Sequence, residues 1–115
     1  MAHLGFMLTR SLSAGSGSRS FQLLAEAAVK KHFVSVFFVN DGVYQCLQND
    51  TQSIYGSNLG DFLDKLAEAG ASILVSHPCL ESRGLKMESV HSGAKIVTME
   101  FIAEAVGKAD KVVCL

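Results

Sequence analysis

The sequence predicts an α/β fold of three layers, in which helices cover both faces of a five-stranded, mostly parallel sheet. The main observation is an alternation along the chain. Short apolar runs rich in β-branched residues alternate with longer segments whose apolar residues recur at helical spacing. Such an alternation builds βαβ units, which place their strands parallel in one sheet. A flavodoxin-like sandwich therefore fits the predicted five strands and about four helices.

The composition is that of a small protein with one core. The chain has 115 residues, of which 49% are hydrophobic and 18% charged, so we expect a single domain over residues 1–115. The high apolar fraction indicates a sheet covered on both faces, or apolar surface buried between subunits, or both. The formal net charge of −1 leaves no basic stripe for phosphates, which argues against nucleic acid as a direct partner.

Segment patterns and cysteine usage indicate the cellular compartment in which the protein is expected. No window has the length of an apolar membrane span, and the N-terminus lacks the pattern of a signal peptide. The three cysteines are odd in number and irregularly spaced, so they do not form a disulfide framework. These patterns predict a protein of the reducing cytoplasm without a membrane partner.

The first half of the chain contains two predicted strands separated by a helix. Residues 4–9 form the first strand, and a Gly/Ser loop follows and ends at Ser18, a good helix N-cap. The next helix carries apolar residues at i, i+3, i+4, i+7 and i+8: Phe21, Leu24, Ala25, Ala28 and Val29. Residues 33–39 are nearly all apolar, which is typical of a strand covered on both faces. Residues 40–42 break that strand, and residues 43–57 are the longest irregular region.

The second half repeats the alternation. A helix ends at Gly70 and carries an apolar face made of Leu59, Phe62, Leu63, Leu66 and Ala67. The elements predicted after it are, in order, a strand at 71–75, a cysteine-containing turn, a short helical segment at 86–91, a strand at 94–97, a helix capped by Thr98, and a strand at 110–115.

A lone thiol, Cys79, follows the third predicted strand. Open α/β sheets hold their reaction sites beyond the carboxyl ends of the strands, so Cys79 is the candidate catalytic residue. A thiol with a pKa near 8.5 is about 3% ionised at pH 7, and lowering that pKa to about 7 requires about 2 kcal/mol. A helix N-terminus and the guanidinium of Arg83 would supply that energy. His77 would add a positive charge or a proton relay.

Plainer interpretations of these residues stay open. Cys79 is alternatively a small apolar residue packed under a loop. Cys46 is a weaker candidate for a second thiol at the site, and Cys114 in the last strand is expected to pack in the core. A metal site made of Cys79, His77 and His91 matches no compact ligand spacing, so neither a metal nor another cofactor is expected. The Gly/Ser loop lacks the spacing of a phosphate-binding motif and is interpreted as a flexible connection.

The chain resembles the DsrE/TusD family of sulfur-relay proteins, within the wider DsrE/DsrF-like superfamily. The resemblance runs nearly end to end. The segments that carry it are SFQLLAEA at residues 20–27, VFFVNDGVY at residues 36–44, the cysteine turn that ends in RGL at residues 83–85, and ADKVV at residues 109–113. The position of the active cysteine in the TusD branch is Ser76 here. Cys79 matches a position where many broader DsrE-like proteins carry a cysteine.

This resemblance implies a cytoplasmic sulfur carrier, or sulfurtransferase subunit. Its cysteine would accept a sulfane sulfur as a persulfide and pass it to a small carrier protein of the TusA or DsrC/TusE kind. Assembly would be into trimers or hexamers, alone or with DsrE-, DsrF- or DsrH-like subunits, in intracellular sulfur oxidation or tRNA thiolation. Cys79 would be the persulfide acceptor, with Arg83 stabilising the thiolate.

Two other functions remain alternatives. The chain would otherwise be a non-catalytic scaffold subunit of a DsrEFH- or TusBCD-like complex, which the high apolar fraction favours. A small nucleotide- or flavin-binding module rests on fold analogy alone.

Overall fold

The computed structural model describes residues 2–9, 25–26, 28–47 and 59–115. Its elements are, in chain order, β1 (His3–Leu8), β2 (Phe33–Phe38), a 3-10 helix (Asn40–Cys46), α1 (Leu59–Glu68), β3 (Ser72–Ser76), α2 (His77–Ser82), a 3-10 turn (Met87–Ser89), β4 (Lys95–Val97), α3 (Met99–Lys108) and β5 (Lys111–Cys114). Residues 25, 26, 28 and 29 are also helical, in agreement with the helix predicted before β2. Its N-cap Ser18 and the Gly/Ser loop lie outside the described residues.

The five strands form one parallel sheet in the order β4-β3-β2-β1-β5. This confirms the predicted α/β fold. The chain adds β2, β3 and β4 on one side of β1 and then returns to place β5 on the other side. All carboxyl ends therefore lie at one edge of the sheet, and those of β2 and β3 are neighbours because Phe38 pairs with Val75.

Two apolar clusters cover the two faces of the sheet, which gives the three predicted layers. On one face, alternating strand residues such as Val36 and Phe38 pack against Leu63 and Leu66 of α1. The opposite face is covered by α3, whose buried residue is Ile102. The cluster on this second face comprises Phe37, Val39, Leu74, Val97 and Ile102. In the described part of the chain, no helix is long and apolar enough to cross a membrane.

Two segments predicted as irregular are helical. The cysteine turn begins as α2, because the Ser76 side chain caps it and Pro78 lies in its first turn. The start of the predicted irregular region lies in the 3-10 helix, which packs closely on β1. A Cβ atom added to Gly42 would lie 2.5 Å from the carbonyl carbon of Leu8, so only glycine fits there. Residues 48–58 lie outside the described ranges.

Candidate functional site

Cys79 lies in the first turn of α2, directly beyond the carboxyl end of β3. Its backbone N–H donates a hydrogen bond to Oγ of Ser76 at 3.4 Å, which is the N-cap interaction of this helix. Because Pro78 has no N–H and that of Cys79 is engaged by Ser76, neither amide is free to bind an anionic sulfur. The thiol itself is free and partly exposed. Cys79 therefore lies beyond the carboxyl end of β3, as predicted. Because the backbone amides are engaged, neighbouring side chains must stabilise an anionic sulfur.

The 3-10 helix after β2 brings polar side chains to this thiol. Sγ of Cys79 lies 3.9 Å from Oδ1 of Asn40, at the long end of the range for a weak S–H hydrogen bond. The two residues are far apart in sequence but meet because β2 and β3 are neighbouring parallel strands. Asn40 also has a backbone φ of 51°, in the left-handed region that non-glycine residues rarely adopt.

Arg83 joins the two segments that form the site. Its Nη1 donates to the carbonyl oxygen of Cys79 and to Oγ of Ser82, both at 3.1 Å. Its Nε donates to Oδ1 of Asp41 at 3.0 Å, with the carboxylate 61% exposed. The guanidinium is therefore held beside Cys79 through the peptide carbonyl, and part of its charge is balanced by Asp41.

His77 lies on a different side of α2 from Cys79. It is the first residue of the helix, and residues two positions apart project about 200° apart around a helix axis. Its Nε2 faces the carboxylate of Glu81 at 3.7 Å, an i, i+4 pair. The structure thus places Cys79 and Arg83 together, whereas His77 is on the far side of the same helix.

The other two cysteines differ sharply in environment. Cys46 is fully buried in the core, and burial raises its pKa from 9.0 to about 12, with a smaller lowering from the backbone N–H of His91. It is therefore not a second reactive thiol at the site. Cys114 is exposed, so the expectation that it packs in the core is wrong. It belongs to β5, an edge strand of the sheet, where it pairs with Met7 of β1 and has no strand on its other side.

Both ring nitrogens of His91 are engaged by neighbouring residues in the core. Its Nε2 lies 2.8 Å from Oδ1 of Asp64 in α1, and its Nδ1 accepts a hydrogen bond from the Gly93 N–H at 3.0 Å. Among the residues that the structure describes, no three His, Cys, Asp or Glu side chains are grouped as a metal site. His91 is thus directed to Asp64 and Gly93, and the structure does not group it with Cys79 and His77.

Sequence reasoning missed Asn40 and Asp41. The tripeptide Asn40-Asp41-Gly42 is predicted to break a strand and is part of the segment 36–44 that resembles the family, but neither polar side chain is assigned to the site. The available signal was that polar residues follow the carboxyl end of β2, the edge at which reaction sites form. That signal becomes specific only when the strand order places β2 next to β3.

Sequence comparisons identify a family model and two relatives. The DsrE/DsrF-like family model matches residues 3–115. The uncharacterized protein MJ0989 of Methanocaldococcus jannaschii is 35% identical over 80 residues, which cover 70% of this chain and 69% of that protein. The uncharacterized protein MK0008 of Methanopyrus kandleri is 28% identical over 87 residues, which cover 76% of this chain and 71% of that protein.

Solved structures have the same fold. The crystal structure of the ychN protein from E. coli superposes with a TM-score of 0.83 at 19% identity, and the match covers 100% of both chains. The protein MTH1491 from Methanobacterium thermoautotrophicum superposes with a TM-score of 0.69 at 14% identity, again over 100% of both chains. At these identities the likeness concerns the fold alone. Since the family model spans nearly the whole sequence, the chain belongs to the DsrE/DsrF-like family.

Proposed function

We propose that this chain is a sulfur carrier in which Cys79 holds a sulfane sulfur as a persulfide. The thiolate of Cys79 attacks the outer sulfur of a donor persulfide, so that an S–S bond forms on Sγ. The donor's own S–S bond breaks, and its electron pair leaves on the donor sulfur as a thiolate. The transferred sulfur keeps its proton, and no net oxidant is required. Onward transfer repeats the exchange with an acceptor thiolate.

The observation that carries the proposal is a free, partly exposed thiol at the carboxyl end of β3 in a chain of this family. Membership of the DsrE/DsrF-like family implies a role in sulfur relay, and a buried thiol would not serve such a role. Arg83 stabilises the thiolate by a nearby positive charge, which Asp41 and the Cys79 carbonyl hold in place. Any contribution from His77 is one of longer-range charge, because it lies on the other side of α2.

The proposed partners follow from the same chemistry. A donor and an acceptor must each present a sulfur atom on a mobile or protruding segment, as small carriers of the TusA and DsrC/TusE kinds would. The reaction requires a reduced thiol, which fits a cytoplasmic location. Intracellular sulfur oxidation and tRNA thiolation are the two pathways in which such a relay would act.

Persulfide mapping by mass spectrometry tests the proposal. The reduced protein is incubated with glutathione persulfide, desalted, and digested under conditions that preserve S–S bonds. We expect a gain of about 32 Da, one sulfur atom, on the peptide that contains Cys79. Cys79→Ser should lose it, and Cys114→Ser, the matched control at the other exposed thiol, should retain it. The proposal fails if the wild type gains no sulfur on Cys79, or if Cys79→Ser gains as much in total.

A scaffold subunit is the second candidate, and exposed aromatic residues favour it. Phe33 of β2 and Phe101 of α3 are 45% and 43% exposed, and both line one shallow hollow over the sheet. Large apolar side chains clustered at a surface are typical of subunit interfaces. Under this proposal the face is covered by another DsrE-, DsrF- or DsrH-like subunit, in a trimer or hexamer of one or several chains.

Light scattering after gel filtration separates the two candidates. Phe33→Asp should dissociate the assembly, whereas Cys79→Ala should leave its mass unchanged. A scaffold without carrier activity would form the assembly and take up no sulfur on Cys79. A monomeric wild type at micromolar concentration would exclude the self-assembled form.

A further inference from the structure

Asn40 makes a polar contact with the sulfur of Cys79, and its backbone geometry is unusual. The contact joins Sγ of Cys79 to Oδ1 of Asn40 at 3.9 Å, across the neighbouring ends of β2 and β3. Among the described residues, Asn40 is the one non-glycine residue with a positive φ. Few non-glycine residues adopt this conformation, asparagine and aspartate more readily than most, and such conformations are concentrated at functional sites.

The chain on both sides of Asn40 fixes this conformation. The residue before it, Val39, is buried and donates its N–H to the carbonyl oxygen of Leu8 at 3.1 Å. Gly42 lies against the same carbonyl of Leu8, and its N–H donates to the carbonyl oxygen of Val39 at 2.8 Å. Asn40 therefore stands between two anchored residues, and the exposed amide is directed to the thiol by the backbone.

An amide is chemically suited to both forms of a thiol. Its oxygen accepts a hydrogen bond from S–H, and its NH₂ group donates to a thiolate. A half-turn about the Cβ–Cγ bond exchanges the two ends with little change in shape. A carboxylate of the same shape has only acceptors and carries a negative charge, so it favours the neutral thiol and opposes the thiolate.

We propose that Asn40 is the positioning residue for Cys79: its amide holds the S–H in the resting state and rotates to donate N–H to the sulfur anion when the proton has left. This proposal deepens the proposed sulfur transfer and rests on it. The proton passes to solvent, and Asn40 neither takes nor gives one. The hydrogen bond from the amide fixes the position of Sγ while the new S–S bond forms on it. The same hydrogen bond fixes Sγ when that bond breaks in onward transfer.

Two substitutions separate the amide from the backbone conformation. Asn40→Gly removes the amide and keeps a residue that adopts positive φ without strain. Asn40→Asp keeps the shape but replaces the donor by a charge, and aspartate also tolerates this conformation. The readout is the rate at which iodoacetamide alkylates Cys79 as a function of pH, in a Cys114→Ser background, with Cys79→Ser as the blank.

For Asn40→Asp we expect the midpoint of the pH profile to move to higher pH. The alkylation rate at pH 7 should fall at least about fivefold, because that is the effect of one negative charge about 4 Å from the thiolate in water. Asn40→Gly should move the midpoint in the same direction by less. The plateau rate at high pH should be unchanged in both variants. Superimposable profiles would overturn the proposal, and so would a change confined to the plateau, which would mean that Asn40 controls only access.

Circular dichroism melts of both variants establish that they are folded. If Asn40→Gly does not fold, the comparison of Asn40→Asp with the wild type decides alone. Alkylation requires no sulfur donor. If no persulfide forms on Cys79 but the alkylation profiles shift, the proposed function is refuted and the role of Asn40 stands. If the persulfide forms but the profiles do not shift, only the role of Asn40 is refuted.

Discussion

The buried thiol of Cys46 makes the stability of this protein fall at alkaline pH. Burial holds its folded pKa at about 12, compared with 9.0 for an exposed thiol. Below pH 9 both the folded and the unfolded chain keep this proton, so the group has no effect on the pH dependence. Between pH 9 and 12 the unfolded chain loses the proton and the folded chain keeps it. The free energy of unfolding therefore decreases, by about 4 kcal/mol over the whole interval and about 2 kcal/mol by about pH 10.5.

Comparison with Cys46→Ala isolates this contribution from other groups that titrate at high pH. The variant loses the packing of one sulfur atom, so at pH 7 it should be less stable by about 1 kcal/mol. Since it has no thiol to ionise at this site, the difference should shrink above pH 9 and reverse. At about pH 10.5 the variant should be the more stable protein by about 1 kcal/mol.

Urea denaturation followed by circular dichroism, under reducing conditions at several pH values, measures these free energies. Cys114→Ala, which removes an exposed thiol, should follow the wild-type curve throughout. A stability difference between wild type and Cys46→Ala that is constant from pH 7 to about 10.5 would refute the reasoning. Native alkylation at pH 8 gives an independent check, because Cys46 should be labelled only after urea is added.

Three further predictions concern the segments around the site. Gly42→Ala should lower the free energy of unfolding by about 2 kcal/mol or more, because its Cβ would press on the backbone of Leu8, and a melting temperature within a degree of wild type would contradict this. Ser76→Ala should cost about 1 kcal/mol in urea denaturation by removing the N-cap of α2, and an unchanged free energy of unfolding would contradict this. A double-mutant cycle of Asp41→Ala and Arg83→Ala should give a coupling below about 1 kcal/mol, since the carboxylate is 61% exposed, and a larger coupling would mean a stronger pair than the geometry indicates.

Much of the fold was predictable because it depends on local patterns. The apolar runs at 33–39 and 71–75 predicted β2 and β3 to within about one residue at each end, and the alternation with helices required a parallel sheet. Helix α3 was predicted with its cap, because the Thr98 side chain accepts a hydrogen bond from the Phe101 N–H at 3.2 Å. The helical start of the cysteine turn was missed, although Ser76 and Pro78 are ordinary signals of a helix N-terminus.

Burial of the individual cysteines was not predictable in the same way. Cys46 follows a strand break and precedes a polar stretch, yet the 3-10 helix turns it into the core. Cys114 belongs to an apolar strand, yet that strand lies at the edge of the sheet. For both residues the local sequence predicts side-chain exposure poorly, because exposure depends on which distant segments pack against the residue.

The sequence alone determined that a thiol stands beyond the carboxyl end of a central strand, since strand type and strand end follow from short-range composition. Only the tertiary structure decided what faces that thiol. The pairing of β2 with β3 brings Asn40 to the sulfur of Cys79 and Asp41 to Arg83. The same local patterns allow several strand orders, and only some of them contain this pair. It depends on how the helices cover the two faces of the sheet, which is a property of the whole core and of no single segment.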